Sequence, residues 1–278
     1  MLRHVRYFWA LSRPLNVIIT FITIWIAAFI SPAFHLSGQL IMASVIAALI
    51  AAGANIINDI FDLEIDRINK PKRLLPAGKV TAKEAWLYFF IAYGLAFLLS
   101  FFCNGTMLVI ALVIAVLLIL YSARLKRTVL WGNITVSMAS AMAFIYGALS
   151  VGDLRSGIIP AVFAFFFHLG REIIKDMQDL EGDLHQKTIT FPGRFGLKAS
   201  VALINALFIF LIILTAVPYI LNIYGIIYWR IVLFGVDSVL LFSCVYLWFR
   251  HDPISLGRIS HLLKLDMLVG LAAIYFGV

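Results

Sequence analysis

The chain has 278 residues, of which 63% are hydrophobic and only 13% charged. Together with a mean hydropathy of +1.01, this composition excludes an ordinary soluble domain. Its 22 lysines and arginines exceed its 14 acids, but their placement along the chain accounts for that excess without a nucleic-acid partner.

In chain order, nine apolar runs are each long enough to cross a ~30 Å hydrocarbon core. They lie at about 14–34, 39–60, 82–102, 105–122, 131–151, 157–179, 197–220, 229–249 and 261–278. The first is too long for a signal-peptide core and has no clear cleavage site, so it is read as a span. Apart from Arg155 and Arg230, the basic residues lie in or beside the N-terminus and the loops after spans two, four, six and eight. Positive charge stays inside, which predicts a cytoplasmic N-terminus and an external C-terminus. The net charge of +8 then reads as topogenic charge facing anionic headgroups. Cys103 and Cys244 lie in or beside apolar runs and suggest neither a disulfide nor a metal site.

No linker or low-complexity stretch divides the chain, so 1–278 reads as one domain. There is an internal echo. GANIINDIFDLEIDRINK (53–70) and GREIIKDMQDLEGDLHQK (170–187) agree at nine of 18 positions without a gap. The offset of 117 residues carries span two onto span six, which predicts a duplicated four-helix unit with a ninth helix added. Within the first copy Asp59, Asp62 and Asp66 are spaced i, i+3, i+7, so they share a helix face with Asn55 and Asn58 on or near it. Asp176, Asp179 and Asp183 repeat the spacing, with Glu172 one turn earlier.

Carboxylates gathered at a bilayer repel one another and are functional candidates. Divalent ions remove the repulsion, and an all-oxygen donor set without His or Cys favours Mg²⁺ (or Mn²⁺). The basic residues nearby suit phosphate: Arg13, Arg67, Lys70, Lys72, Arg73, Arg124, Lys126, Arg127, Lys187 and Arg194. A substrate with a diphosphate head and a hydrocarbon tail meets both demands, and polyprenyl diphosphates have that shape. Loss of diphosphate leaves an allylic cation, which a dry, aromatic pocket protects. The chain supplies 23 Phe, 10 Tyr and 6 Trp.

These motifs resemble those of the UbiA family of intramembrane prenyltransferases. The family's NDxxDxxxD corresponds to Asn58, Asp59, Asp62 and Asp66. Its DxxDxxxD corresponds to Asp176, Asp179 and Asp183. Tyr121 to Lys126 is similar to its Tyr/Lys motif with one extra residue, so Lys126 or Arg124 takes the lysine's part. Arg13-Pro14-x-Asn16 also fits. The resemblance implies nine helices around a central cavity with a lateral opening to lipid, and two Mg²⁺ ions bridging the diphosphate. It implies Asn58, Asp62 and Asp66 on one ion with Asp59 beside them, and Asp176, Asp179 and Asp183 on the other. Arg13, Arg73, Lys126 and Lys187 would hold phosphates. Tyr121 would face the cation, and Arg171 and Lys175 would orient carboxylates or acceptor. Asn16, Asn55, Lys70 and Arg124 complete the expected substrate-binding set.

The segment from Arg171 to Thr188 is most similar to the branch that prenylates geranylgeranylglyceryl phosphate for ether lipids. Aromatic-acid, quinone-precursor and chlorophyll-type acceptors stay open, because related enzymes carry a similar KDxxDxxGD run. The expected partners are a polyprenyl diphosphate, the acceptor and membrane lipids, with no protein partner evident. The expected location is the cell membrane, with the active site on its cytoplasmic side. Two other classes compete: a cation-coupled carrier and a lipid-binding scaffold. The first fits poorly with carboxylates at span ends. Asp237 and Asp266, inside spans eight and nine, read either as polar contacts near the cavity or as interhelical hydrogen bonds.

Overall fold

A computed structural model describes residues 2–185 and 188–278, and every regular element among them is a helix. Two short helices, α1 (Leu2–Leu11) and α2 (Pro14–Phe29), open the chain and are bent by 67° at the break between them. The next spans are α3 (Gly38–Phe61), followed by the short α4 (Leu63–Asn69), α5 (Ala82–Ser100), α6 (Gly105–Ala123) and α7 (Trp131–Leu149). Then come α8 (Ile158–Gln178), the short α9 (Leu180–His185) and α10 (Phe191–Ile220). The last spans are α11 (Ile226–Ile231), which runs through a π-helical turn at 232–237 into α12 (Ser238–Phe249), and α13 (Pro253–Gly277). Eight helical segments are long and apolar enough to cross a membrane, or nine if the bent pair counts as one span.

Two expected spans shift. The first helix stops at Phe29, ahead of the Ser31-Pro32 turn. The last begins at Pro253, eight residues before the apolar run, because Asp252 caps it by accepting from the Ser255 amide at 2.9 Å. Ser255, Arg258, Ser260 and His261 dilute the hydropathy of its first turns and hide the start. The seventh span does begin near 197. There Gly196 takes φ 81°, a backbone state other residues avoid, and breaks α10 after its first turn.

The described chain forms two compact units, 1–126 with 143–157 and 127–142 with 158–278. In a bilayer, lipid tails compete for apolar surface, so helices associate by close packing rather than by hydrophobic transfer. In the first unit α3 packs on α2, α5 and α6, around Ile24, Leu40, Ala43, Ile46, Ile50 and Met107. Close approach depends on Gly53, where a Cβ would stand 2.2 Å from the Tyr93 ring of α5. In the second unit α8 packs on α10 and α13, around Ile173, Ile174, Ile204, Phe208, Leu240 and Leu263. Gly170 of α8 is the counterpart of Gly53 in the sequence echo, and its Cβ would also stand 2.2 Å from an aromatic ring, that of Phe208. Large apolar side chains such as Phe90, Phe102, Phe234 and Phe249 remain more than half exposed, as lipid-facing residues do.

The two intramembrane aspartates part company. Asp237, at the end of the π-helical turn, has the Thr215 hydroxyl 3.2 Å from its Oδ1. Asp266 of α13 is buried, and neither carboxylate oxygen has a hydrogen-bond partner among the described residues. The interhelical hydrogen bond thus holds for Asp237 alone.

Candidate active site

The two carboxylate stripes have the same local architecture. α3 ends at Phe61, Asp62 is non-helical (φ −90°, ψ 2°), and α4 resumes at Leu63. α8 ends at Gln178, Asp179 makes the turn, and α9 resumes at Leu180. Each stripe is therefore broken at its middle aspartate rather than lying on one uninterrupted helix. The helical register survives the break. The Asp62 amide donates to Asn58 O at 2.9 Å and the Asp66 amide to Asp62 O at 2.7 Å. The Asp179 amide donates to Lys175 O at 2.9 Å and the Asp183 amide to Asp179 O at 3.1 Å. All three carboxylates of each stripe thus stay within two turns.

In the first unit Asp59, Asp62 and Asp66 are buried, at 6%, 4% and 2% exposure, and cations cover them. Arg13 donates to Asp59. Arg73 reaches from the loop after α4 and bridges Asp59 at 3.2 Å and Asp66 at 2.5 Å. Lys126, from the turn after α6, pairs with Asp62. Arg13 takes a left-handed backbone (φ 55°) that non-glycine residues enter at a cost. The following Pro14 disfavours the helical region there. This turn separates α1 from α2 and aims the guanidinium at α3. Burial pushes the Asp66 carboxyl above the usual range, while the Arg73 guanidinium pulls it down.

The amides complete the first cluster. Asn58 Nδ2 donates to Asp62 Oδ2 at 2.8 Å. Asn55 Nδ2 donates to Ser12 O at 2.9 Å, which ties α3 to the end of α1, and Asn16 Nδ2 lies 3.4 Å from Asn55 Oδ1. Tyr121 is half-buried in the last turn of α6, and Lys70 is half-buried at the end of α4. The two candidates for the motif lysine differ: Lys126 meets Asp62, whereas Arg124 is exposed and not brought to the carboxylates.

In the second unit Asp176 Oδ2 accepts from Asn133 Nδ2 of α7 at 2.7 Å. Glu172 is buried and accepts from Lys175 Nζ at 2.7 Å, with Arg171 Nη1 at 3.4 Å. Arg171 Nε donates to Ser260 O of α13 at 3.1 Å. Asp183 is buried in α9, and Asp179 is half-buried at the break. Lys187 lies outside the described residues. Asn133 went unread in the sequence. Its only signal is that it is a lone amide opening an apolar run.

The donor set suits a hard divalent ion. Every candidate ligand is an oxygen. Asn58 Oδ1 is buried without a hydrogen-bond partner beside the Asp62 carboxylate. Buried acceptors left unpaired cost about 1–3 kcal/mol, which an ion repays. Among the described residues no three His, Cys, Asp or Glu side chains are gathered as a finished ligand set. In the first cluster Arg13, Arg73 and Lys126 neutralise the carboxylates.

The model of the UbiA prenyltransferase family matches residues 16–259. Digeranylgeranylglyceryl phosphate synthase of Methanothermobacter thermautotrophicus is 31% identical over 265 residues, which cover 95% of this chain and 93% of that protein. A solved structure described as digeranylgeranylglyceryl phosphate synthase in membranes superposes with a TM-score of 0.78. It is 31% identical and covers 100% of this chain and 99% of that one. A UbiA homolog from Archaeoglobus fulgidus, solved with GPP and Mg²⁺, shares the fold at a TM-score of 0.66 and 20% identity. It covers 96% of this chain and 99% of that one.

Proposed function

We infer the function from the family: the chain belongs to the UbiA prenyltransferase family, and it is a multi-pass membrane prenyltransferase. It transfers a prenyl group, geranylgeranyl by our reading, from its diphosphate to the hydroxyl of geranylgeranylglyceryl phosphate in ether-lipid synthesis. The observation that carries this acceptor is full-length likeness, 31% over 95% of the chain, to a synthase named for that product. The reading treats 1–278 as one domain built by duplication. The Gly53 and Gly170 packing against aromatic rings and the matching breaks at Asp62 and Asp179 support that history.

Two Mg²⁺ ions are proposed, one held by Asn58, Asp62 and Asp66 with Asp59 beside them, the other by Asp176, Asp179 and Asp183. Bound there, Mg²⁺ would offset the negative charge that grows on the diphosphate leaving group. The chain does the rest. Arg13, Arg73 and Lys126 neutralise the buried carboxylates of the first stripe. When diphosphate arrives they turn to its oxygens, where arginine binds in a bidentate way and lysine as a point charge. Dry apolar helices around the tail keep water from the allylic cation. The acceptor hydroxyl attacks C1 of the prenyl chain, the C1–O bond to diphosphate breaks, and the departing diphosphate takes the hydroxyl proton. The site is assigned to the cytoplasmic side of the cell membrane by the distribution of basic residues.

The test uses purified protein with Mg²⁺ and labelled geranylgeranyl diphosphate. One arm contains geranylgeranylglyceryl phosphate, the other a mixture of 4-hydroxybenzoate, homogentisate and a naphthoate. Product in the first arm alone is expected, and it should vanish with EDTA or Asp62→Asn. Product in the second arm alone would keep the family and replace the acceptor.

A further inference from the structure

α1 is unlike the spans that follow it, because its ten residues carry three different faces. His4, Phe8 and Leu11 are spaced i, i+4, i+7 and turn to the protein. His4 Nδ1 lies 2.8 Å from the Tyr88 hydroxyl of α5, the Phe8 ring meets Tyr88 edge-on at 5.9 Å, and Leu11 is buried. Val5 and Trp9, one turn apart on a second face, are 61% and 49% exposed. Arg3 and Arg6, also one turn apart, are exposed on the third. The Arg3 guanidinium stands 5.2 Å from the centre of the Tyr7 ring, and Arg6 has no ion-pair partner among the described residues. Glu84, 3.8 Å from His4, is engaged in the capping box of α5.

α1 leaves α2 at 67°. With α2 crossing the bilayer, α1 runs closer to the membrane plane than to its normal. A helix so placed puts its apolar side to the acyl chains and its basic side to the headgroups, with Trp at the boundary. Topogenic charge alone needs no exposed apolar face beside it. The far end of α1 runs into the first carboxylate cluster. Ser12 is buried, its hydroxyl donates to Trp9 O at 2.8 Å, and its carbonyl accepts from Asn55 Nδ2 at 2.9 Å. Arg13 follows in its left-handed turn and donates to Asp59. A displacement of Trp9 therefore reaches the Arg13 guanidinium through one turn of chain.

We propose that α1 docks on the anionic headgroups of the leaflet bordering the first carboxylate cluster, and that this docking holds Arg13 in place for the prenyl diphosphate. Arg3 and Arg6 meet the headgroups, while Val5 and Trp9 enter the acyl boundary. A cation near an anionic surface strengthens binding by about fivefold. Two arginines and two apolar side chains then hold a short helix that the protein already hinges at one end. The left-handed backbone of Arg13 is unfavourable by itself, so the turn relaxes when α1 lifts. The docking stands on the faces of α1 alone. The coupling rests on the reading above that Arg13 takes the donor's diphosphate.

Docking is tested on the full-length protein, with Cys103 and Cys244 replaced by serine, in nanodiscs of phosphatidylcholine with or without phosphatidylglycerol. A nitroxide on Val5→Cys should be shielded from a water-soluble nickel relaxant and open to oxygen. A nitroxide on Lys79→Cys, in the exposed loop after α4, should behave in the opposite way. Phosphatidylglycerol should deepen the shielding at 5, and Arg3→Gln with Arg6→Gln should reduce it. A label at 5 as open to nickel as the label at 79 overturns the docking. Coupling is read as the Kd for labelled geranylgeranyl diphosphate with Mg²⁺ and no acceptor, corrected for empty nanodiscs. In anionic nanodiscs the double variant should bind the donor about fivefold or more weakly than wild type, and in zwitterionic ones within about twofold. Lys198→Gln, which removes an exposed cation of α10, should match wild type in both. An equal loss with Lys198→Gln, an equal loss of the double variant in both lipids, or no loss at all overturns the coupling. If wild-type protein binds no prenyl diphosphate, the reading of its function fails, and the nitroxide at 5 still decides the docking.

Discussion

Lys126 and Arg124 stand two residues apart and differ in what they meet. Lys126 pairs with buried Asp62, while Arg124 faces outward. Lys126→Ala is therefore expected to lower kcat/KM for the prenyl diphosphate by roughly 100-fold, the scale of losing one preorganised charge. Arg124→Ala should stay within about threefold, as for an exposed charge. Steady-state transfer of labelled prenyl groups decides it, and equal losses would remove Lys126 from its assigned role. Arg73 carries a different burden, bridging Asp59 and Asp66. Its removal takes the guanidinium from buried Asp66 and leaves Asp59 with Arg13 alone, and breaking a buried pair from one side costs about 3–5 kcal/mol. Arg73→Ala should melt well below wild type without divalent ions, and Mg²⁺ should narrow the gap, since a ligand of the folded state stabilises by mass action. A gap that Mg²⁺ leaves unchanged would argue against an ion among these carboxylates.

The sequence shows the carboxylate stripes but not the breaks within them. The i, i+3, i+7 spacing survives because hydrogen bonds run through Asp62 and Asp179. The breaks were illegible for the same reason: DLEID holds no helix breaker, and the one weak helix former in DLEGD, Gly182, stands three residues past the break at Asp179. The apolar cores of α3, α5, α6 and α7 were legible within a few residues because hydropathy changes sharply at their ends. The start of α13 was not, because its first turns mix polar and apolar residues. Partners distant in the chain were the least legible. Arg13 was singled out as a phosphate ligand, yet its grip on Asp59 depends on a left-handed turn that no pattern reveals. Asn133 meets Asp176 across 43 residues. Gly170 makes the packing of α8 on α10 testable. Phe208 is fully buried and its ring cannot swing aside. Gly170→Ala should cost about 1–3 kcal/mol, as overpacking does. Adding Phe208→Leu should return part of that loss, and the melting temperatures of the four proteins in the cycle report the coupling. Additive losses would show that the ring is not what the glycine accommodates.

At the scale of the whole molecule, orientation is set by charge placement rather than by any one contact. Twenty of the 22 basic residues fall on the side assigned to the cytoplasm. Inverting such a chain would carry many cations across the bilayer at a cost of several kcal/mol for each buried one. The bent pair of α1 and α2 is where this argument is most exposed. Read as one span, it gives nine crossings and an external C-terminus, whereas eight crossings would place both termini on one side. Cysteine labelling separates these cases in a background with Cys103 and Cys244 replaced by serine. Single Lys79→Cys and Arg127→Cys substitutions lie at exposed positions in the basic loops, and His35→Cys and Leu221→Cys at exposed positions in the opposite loops. In intact cells a membrane-impermeant maleimide should label 35 and 221 at once. It should reach 79 and 127 only after permeabilisation. An Arg6→Cys substitution, at an exposed position of α1, should label with the second pair. If it labels with the first, the first two helices do not cross together. If 79 and 127 label in intact cells, the site lies on the outer face, and its substrates must be supplied from there.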